Sequence, residues 1–294
     1  MPQLSLDALN AASDAEFATA LGDIFEHAPW VAAAAARRRP FSDLEALLHA
    51  MTQAVRDAAA ERQRALISGH PDLAGKAARA GDMTAASRAE QGAAGLDRLT
   101  DKQYATFHRL NAAYRAKFAM PFIICVRRHT KESILAQFER RLAGEPAQEQ
   151  GVALEEIFRI AALRLDERVS APDRLKVHGR LSTHVLDTRA GRPAAGIPVE
   201  LAEIGENERR VVARAVTNAD GRTDQPLIAG RPLPIGRYEL SFQVAAYFVA
   251  QRAPIPDPPF LDTIPLRFAV AEPEGHYHVP LLVTPWSFAT YRGS

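Results

Sequence analysis

Proline divides this chain into two parts that cannot fold alike. Of its 20 prolines, 6 lie at or before residue 170 and 14 after it. Proline inside a helix removes a hydrogen bond and clashes with the preceding turn, so the front can be helical throughout and the back cannot. The front is also rich in alanine, the strongest helix former, as in the run from Ala32 to Ala36. Helix starts recur there as capping boxes: Ser13 with Glu16, Ser42 with Glu45, and Thr100 with Gln103. Behind them run apolar stripes at helical spacing. Leu44, Leu47, Leu48, Met51 and Val55 form one; Ile134, Leu135, Phe138 and Leu142 form another; Leu154, Ile157, Phe158, Ala161 and Leu165 form a third. These predict an all-α helical bundle over residues 1–169.

From Val177 the period changes to two. Leu181, Thr183 and Val185 face one way, and Ser182, His184 and Leu186 the other. Tyr238 to Val244 and Tyr277 to Val283 alternate in the same manner, with turn signals between at 189–193, 218–221 and 233–236. Short strands so spaced predict an all-β sandwich over 177–294. The polar, proline-broken stretch 170–176 is the expected linker, and 294 residues is the length of two ordinary domains.

Charge and cysteine content narrow the function. Lys and Arg number 36 against 35 Asp and Glu, a net charge of +1, so no bulk field is present to hold nucleic acid or a membrane surface. With Cys125 as the single cysteine, neither an internal disulfide nor a cysteine-based zinc cluster can form. The start lacks the features of a secretory leader, no apolar run reaches bilayer length, and the end reads Tyr-Arg-Gly-Ser, so a cytoplasmic protein is expected.

The residues that could carry chemistry each have an ordinary reading too. His184 shares a strand face with Ser182, and His276 with His278, but strand histidines are commonly surface or core residues. Two histidines at i, i+2 could also serve a metal, though no third ligand is apparent. Arg222, after Asp220 and Gly221, could be a turn residue. In the front half, Ser87 and Glu90 have capping-box spacing, and His70 before Pro71 could simply end a helix. Arg164 falls at the edge of the stripe of Ile157, Ala161 and Leu165, where it could snorkel or point into a pocket between helices. Cys125 lies in an apolar run and reads as buried and inert. His27, His49, His108 and His129 have no pattern around them and read as structural.

The segments HGRLSTHVLDTRAGRPAAGIPVEL, TNADGR, HYHVPLLVTP and the terminal YRGS, in that order, resemble the transthyretin-like 5-hydroxyisourate hydrolases. The run TPWSFAT before YRGS departs from the usual SPYGYST while keeping size and aromaticity. The resemblance implies a homotetramer through the C-terminal domain, with active sites in a channel between dimers. It implies substrate contacts from His184, Arg222, His278 and Tyr291, with Ser294 beside them. Hydrolysis of a cyclic acyl-urea bond needs a base to activate water and a donor for the oxyanion, roles that histidine and arginine suit.

The segments SGHPDLAGK, SRAEQGAAGL, FHRLNAAYRAKF, MPFIICVRRHTKESILAQFERRL and IAALRL resemble the decarboxylases of 2-oxo-4-hydroxy-4-carboxy-5-ureidoimidazoline (OHCU). FAMPFIICVR stands where FGFPFIICVR is usual, a change read as volume-conserving. The resemblance implies His70 for proton transfer, with Ser87, Glu90, Gln91 and Arg164, while Pro71, Phe122 and Ile123 border the substrate. Arg164 suits anionic oxygens, and Glu90 with Gln91 suits the ureido and ring NH groups. The two reactions are consecutive, so the expectation is a fused enzyme taking 5-hydroxyisourate through OHCU to (S)-allantoin. Neither step is expected to need a metal or organic cofactor. The N-terminal domain is left open to dimer contacts. The alternative is a transthyretin-like ligand-binding module carrying a helical assembly domain.

Overall fold

The computed structural model describes residues 4–74, 84–206 and 208–293. They fall into two compact units, Met1–Arg127 with Ile134–Val177, and Arg128–Ser133 with His178–Ser294. Each has its own apolar core.

The first unit is helical: α1 (Leu6–Ala11), α2 (Asp14–Leu21), α3 (Pro29–Ala36), α4 (Leu44–Arg56), α5 (Ala60–Ser68), α6 (Ala85–Ala93), α7 (Asp101–Phe118), α8 (Lys131–Leu142) and α9 (Pro146–Arg168). Among the described residues, its one departure from all-α is a two-residue parallel pairing of β1 (Leu4–Ser5) with β2 (Val169–Ser170). The capping boxes at Ser13 and Thr100 form with both reciprocal bonds. The third does not. At α4, Asp43 is the N-cap and accepts from the Ala46 amide at 2.7 Å, while the Ser42 hydroxyl turns to the Asp43 carboxylate. A carboxylate one residue nearer the helix outcompetes a hydroxyl for the free amides. The three stripes lie inward, with Leu44, Leu47, Met51, Val55, Ile134, Phe138, Ile157, Ala161 and Leu165 buried. The long α9 packs on α4, α5 and α7 and so forms the spine of the unit. At its end, buried Asp166 accepts from the Leu175 amide at 3.0 Å and from Arg174, which fastens the chain that follows.

The second unit is rich in sheet. One antiparallel sheet runs β10-β9-β6-β7 (Thr263–Val270, Gly236–Gln243, Pro198–Ile204, Arg209–Val216). A second runs β11-β3-β8 (His276–His278, Gly179–Ser182, Ile228–Arg231), and a third β13-β12-β4-β5 (Phe288–Ala289, Leu281–Val283, Val185–Asp187, Arg192–Pro193). One short helix, α10 (Ala245–Ala250), interrupts the all-β expectation. Two registers matter for function. β11 pairs parallel with β3, setting His278 opposite Ser182, and β12 pairs parallel with β4, setting Leu281 opposite Val185. With side chains alternating along each strand, His184, Ser182, His276 and His278 are brought to one face. Among the described residues no helix is long and apolar enough to cross a membrane.

Candidate active sites

In the helical unit four pieces converge. The chain leaving α5 carries His70 and Pro71. The helix α6 presents Ser87, Glu90 and Gln91 on one face, as the i, i+3, i+4 spacing requires. The helix α9 brings Arg164, and the extended stretch after α7 brings Phe122 and Ile123. All eight residues line one hollow of about 380 Å³ of empty space, part of it open to solvent, together with Leu73, Ile124, Val126 and Ile160. Two ordinary readings fall here, those of Ser87 and Arg164, while the helix does end just before His70. Ser87 caps nothing, since Thr84 is the N-cap of α6 and Ser87 lies inside the helix. Arg164 does not snorkel; it is 8% exposed and aimed inward. His70 is buried beyond the end of α5 and faces the hollow.

Arg164 is held by two carboxylates. Its Nε and Nη2 bond Glu90 at 2.8 and 2.9 Å, and its Nη1 bonds Glu26 at 2.8 Å. Despite burial, these partners push its pKa further up. Glu26 was not in the set read from the sequence; its signal, a lone glutamate before His27, has no spacing that marks a site. Burial opposes its charge, yet the Thr84 hydroxyl, Arg164 and Ser87 together hold its pKa below the ordinary glutamate value. His70 donates from Nδ1 to the Leu66 carbonyl at 2.9 Å, because a carbonyl can only accept, and this leaves Nε2 as the basic nitrogen. Burial pushes the His70 pKa down, so the ring is neutral at neutral pH. Gln91 accepts from the Ala74 amide at 3.0 Å and lines the hollow.

The Phe122–Ile123 wall lies outside any helix or sheet, so side chains satisfy its backbone. Buried Arg141 donates to the Ile123 carbonyl at 2.6 Å and pairs with Glu149, which also accepts from Tyr114. Glu156 accepts from the Cys125 amide at 2.8 Å. Phe122 stacks on Phe138 with centroids 3.7 Å apart. Just before the wall, Ala119 has φ +56°, in the left-handed region that glycine favours. Ala119 stands at the glycine of FGFPFIICVR, so the expected volume-conserving change is a conformational one: the added methyl strains the backbone rather than the packing.

In the second unit, His184 Nδ1 lies 2.6 Å from His278 Nε2, with the rings stacked at 4.8 Å. Ser182 Oγ bridges His278 Nδ1 at 2.9 Å and His276 Nε2 at 3.2 Å. Burial, then the charge of Arg222, pushes the His184 pKa down; burial, then His184 and Arg222, pushes that of His278 to about 4. A backbone bridge sets Arg222 opposite His184, near enough for its charge to act on both rings. The turn before it needs Gly221, at φ +69°, where a Cβ would sit 2.3 Å from the Val185 carbonyl oxygen. The Gly293 amide donates to the His278 carbonyl at 2.8 Å, and Arg292 stacks on Tyr277 at 4.6 Å. Tyr291 is 55% exposed and makes no hydrogen bond among the described residues; Ser294 lies outside them. Nor do three or more of His, Cys, Asp and Glu converge there as a metal would require, among the described residues.

Comparison with known proteins places both halves. A family model of OHCU decarboxylase matches residues 10–166, and one of the HIUase/Transthyretin family matches 181–293. A 5-hydroxyisourate hydrolase of Deinococcus radiodurans is 56% identical over 117 residues, 40% of this chain and 98% of that protein. The chain belongs to both families. A 2-oxo-4-hydroxy-4-carboxy-5-ureidoimidazoline decarboxylase of Haloferax volcanii is 44% identical over 171 residues, 58% of this chain and 99% of that protein. The crystal structure of an (S)-allantoin synthase aligns over 99% of this chain and 100% of its own, at 36% identity and a TM-score of 0.53. The decarboxylase and hydrolase regions thus follow each other in the order that the resemblance implied.

Proposed function

We propose that this chain is a bifunctional enzyme that hydrolyses 5-hydroxyisourate to OHCU and decarboxylates OHCU to (S)-allantoin. The observation that carries the reading is that each half gathers its own reactive set: eight residues around one hollow in the first unit, and a histidine pair with an arginine in the second. The relatives of each half bear the names of these two consecutive reactions.

In the hydrolase site, neutral His184 donates from Nδ1 to His278 Nε2, which leaves His184 Nε2 to take the proton of an attacking water. The new C–O bond pushes charge onto the carbonyl oxygen, which Arg222 stabilises, and the ring C–N bond then breaks as the leaving nitrogen is protonated. In the decarboxylase site, Arg164 orients the substrate's anionic oxygens, and the Ser87 oxygen accepts from one of its NH groups. Neutral His70 takes a proton at Nε2 from the substrate hydroxyl, the bond to the carboxylate breaks, and CO₂ leaves while its electron pair passes into the ring, where a ring nitrogen takes up one proton from water. The imidazolium returns the proton to one face of the ring carbon, which fixes the handedness of allantoin.

The architecture of this reading is a helical bundle over 1–169 joined by 170–176 to a transthyretin-like sandwich over 177–294, in the cytoplasm. A homotetramer through the sandwich is part of it: exposed Trp286, Phe288 and Tyr291 near the end of the chain are large apolar groups that a neighbouring subunit would cover. The test is to generate 5-hydroxyisourate in situ and follow ultraviolet absorbance and circular dichroism together. The expected result is faster loss of substrate absorbance and a dichroic signal of one enantiomer. Decay at the uncatalysed rate, yielding racemic product, would overturn the reading.

A further inference from the structure

Glu26 sits behind the decarboxylase hollow. It does not line it, only 3% of the residue is exposed, and its carboxylate meets three donors. Oε1 accepts from Thr84 Oγ1 at 2.6 Å and Ser87 Oγ at 3.0 Å, and Oε2 accepts from Arg164 Nη1 at 2.8 Å. A charge so deeply buried is costly unless paired, so its place needs a reason.

The bonds give one. A serine hydroxyl has a single proton, and that of Ser87 goes to Glu26, so Ser87 can only accept from a ligand. The planar fork of Arg164 is fixed on one edge by Glu26 and on the other by Glu90. The two carboxylates are not equivalent. The Glu90 side chain is 13% exposed and lines the hollow, whereas that of Glu26 is 2% exposed and does not. A substrate carboxylate competing for Arg164 can therefore displace Glu90 but not Glu26. The backbone next to Glu26 is also unusual. His27 has φ +51°, a left-handed conformation that costs a non-glycine residue energy and turns the chain just after the carboxylate.

We propose that Glu26 is a positioning residue for decarboxylation, the fixed anchor that sets the plane of Arg164 and the direction of the Ser87 hydroxyl while Glu90 yields to substrate. This rests on the decarboxylase assignment above. Among the described residues, the charged and titratable groups around His70 are Glu26 and His27 from the turn before α3, Arg164 from α9, and Glu90 across the hollow on α6. Of these, Glu26 favours the charged imidazole and Arg164 opposes it.

The experiment measures kcat, KM and the pH profile for OHCU on the full chain carrying Glu26→Gln or Glu26→Asp, beside the unsubstituted protein. Far-ultraviolet circular dichroism of each sample reports whether the helical unit is folded. Glu26→Gln should lower kcat about tenfold or more and move the acid limb to lower pH, because His70 loses its nearby anion. Glu26→Asp keeps the charge but withdraws it from Arg164 and Ser87, so kcat should fall with the acid limb unmoved. That split separates positioning from bulk electrostatics, and the aspartate variant decides the matter if the glutamine variant does not fold. Parent kcat in Glu26→Asp, or parent kcat and limb in Glu26→Gln, would overturn the proposal. Absence of decarboxylation in the unsubstituted chain would instead overturn the assignment on which it rests.

Discussion

Gly293→Ala should disable hydrolysis without touching decarboxylation. A Cβ at this position would lie 2.8 Å from Cδ2 of the His278 ring, 3.2 Å from its Cβ and 3.3 Å from its Cγ. Carbon atoms rest at about 3.5–4.0 Å, so the ring or the terminal strand must retreat by roughly 0.7–1.2 Å. Retreat of the ring disturbs the 2.6 Å contact with His184 and the 2.9 Å contact with Ser182. A displacement of that size in a catalytic group costs on the order of 10²-fold in rate. The assay is loss of 5-hydroxyisourate absorbance under saturating substrate, with OHCU consumption by the same sample as the reference. Hydrolase kcat should drop about a hundredfold while decarboxylase kcat stays within about twofold of the parent. A hydrolase kcat within about threefold of the parent would refute the claim that the backbone of YRGS sets the His278 ring.

Other consequences can be checked separately. Ala119→Gly relieves a left-handed alanine worth about 1–2 kcal/mol, less about 0.5–1 kcal/mol for glycine's greater unfolded freedom, so calorimetry should show the helical unit melting slightly higher; a lower midpoint contradicts the strain. The His278 pKa of about 4 and the lowered His184 pKa keep both rings neutral, so the acid limb of hydrolase kcat/KM should lie below pH 6.5. The unfolded chain binds those protons near pH 6.5 and the folded one does not, so the second unit should lose stability as pH falls from about 6.5 toward 4. A limb at or above 6.5, or stability rising on acidification, would be the contrary result. Ser182→Ala removes the bridge between His276 and His278, and hydrolase kcat should fall about tenfold with little change in KM; an unchanged kcat would make the bridge incidental.

Much of this was legible in the sequence because the signals were periodic. The stripe from Leu44 to Val55 and the alternation through Leu181, Thr183 and Val185 repeat their burial over several residues, and their buried sides are as expected. Local chemistry competing over one or two residues was harder to read. Ser42 loses the cap to its neighbour Asp43, and Ser87, spaced as a cap, gives its proton to Glu26 instead. Distant partners left no trace. Glu26 lies 138 residues from Arg164, and Ser182 lies 94 from His276, so only the fold brings them together. Ala119 shows the limit of reading by volume, since its consequence is a backbone angle.

The central claim is that one chain holds two separate sites for consecutive steps, and His70→Ala tests it most directly. The variant is given 5-hydroxyisourate made in situ, and absorbance and dichroism are followed together beside the parent. Because His70 lies in the first unit and the histidine pair in the second, hydrolysis should proceed at the parent rate. OHCU should then accumulate and decay without producing the dichroic signal of one enantiomer. A folded His70→Ala protein that has lost hydrolysis, or that still forms (S)-allantoin at the parent rate, would contradict the two-site account.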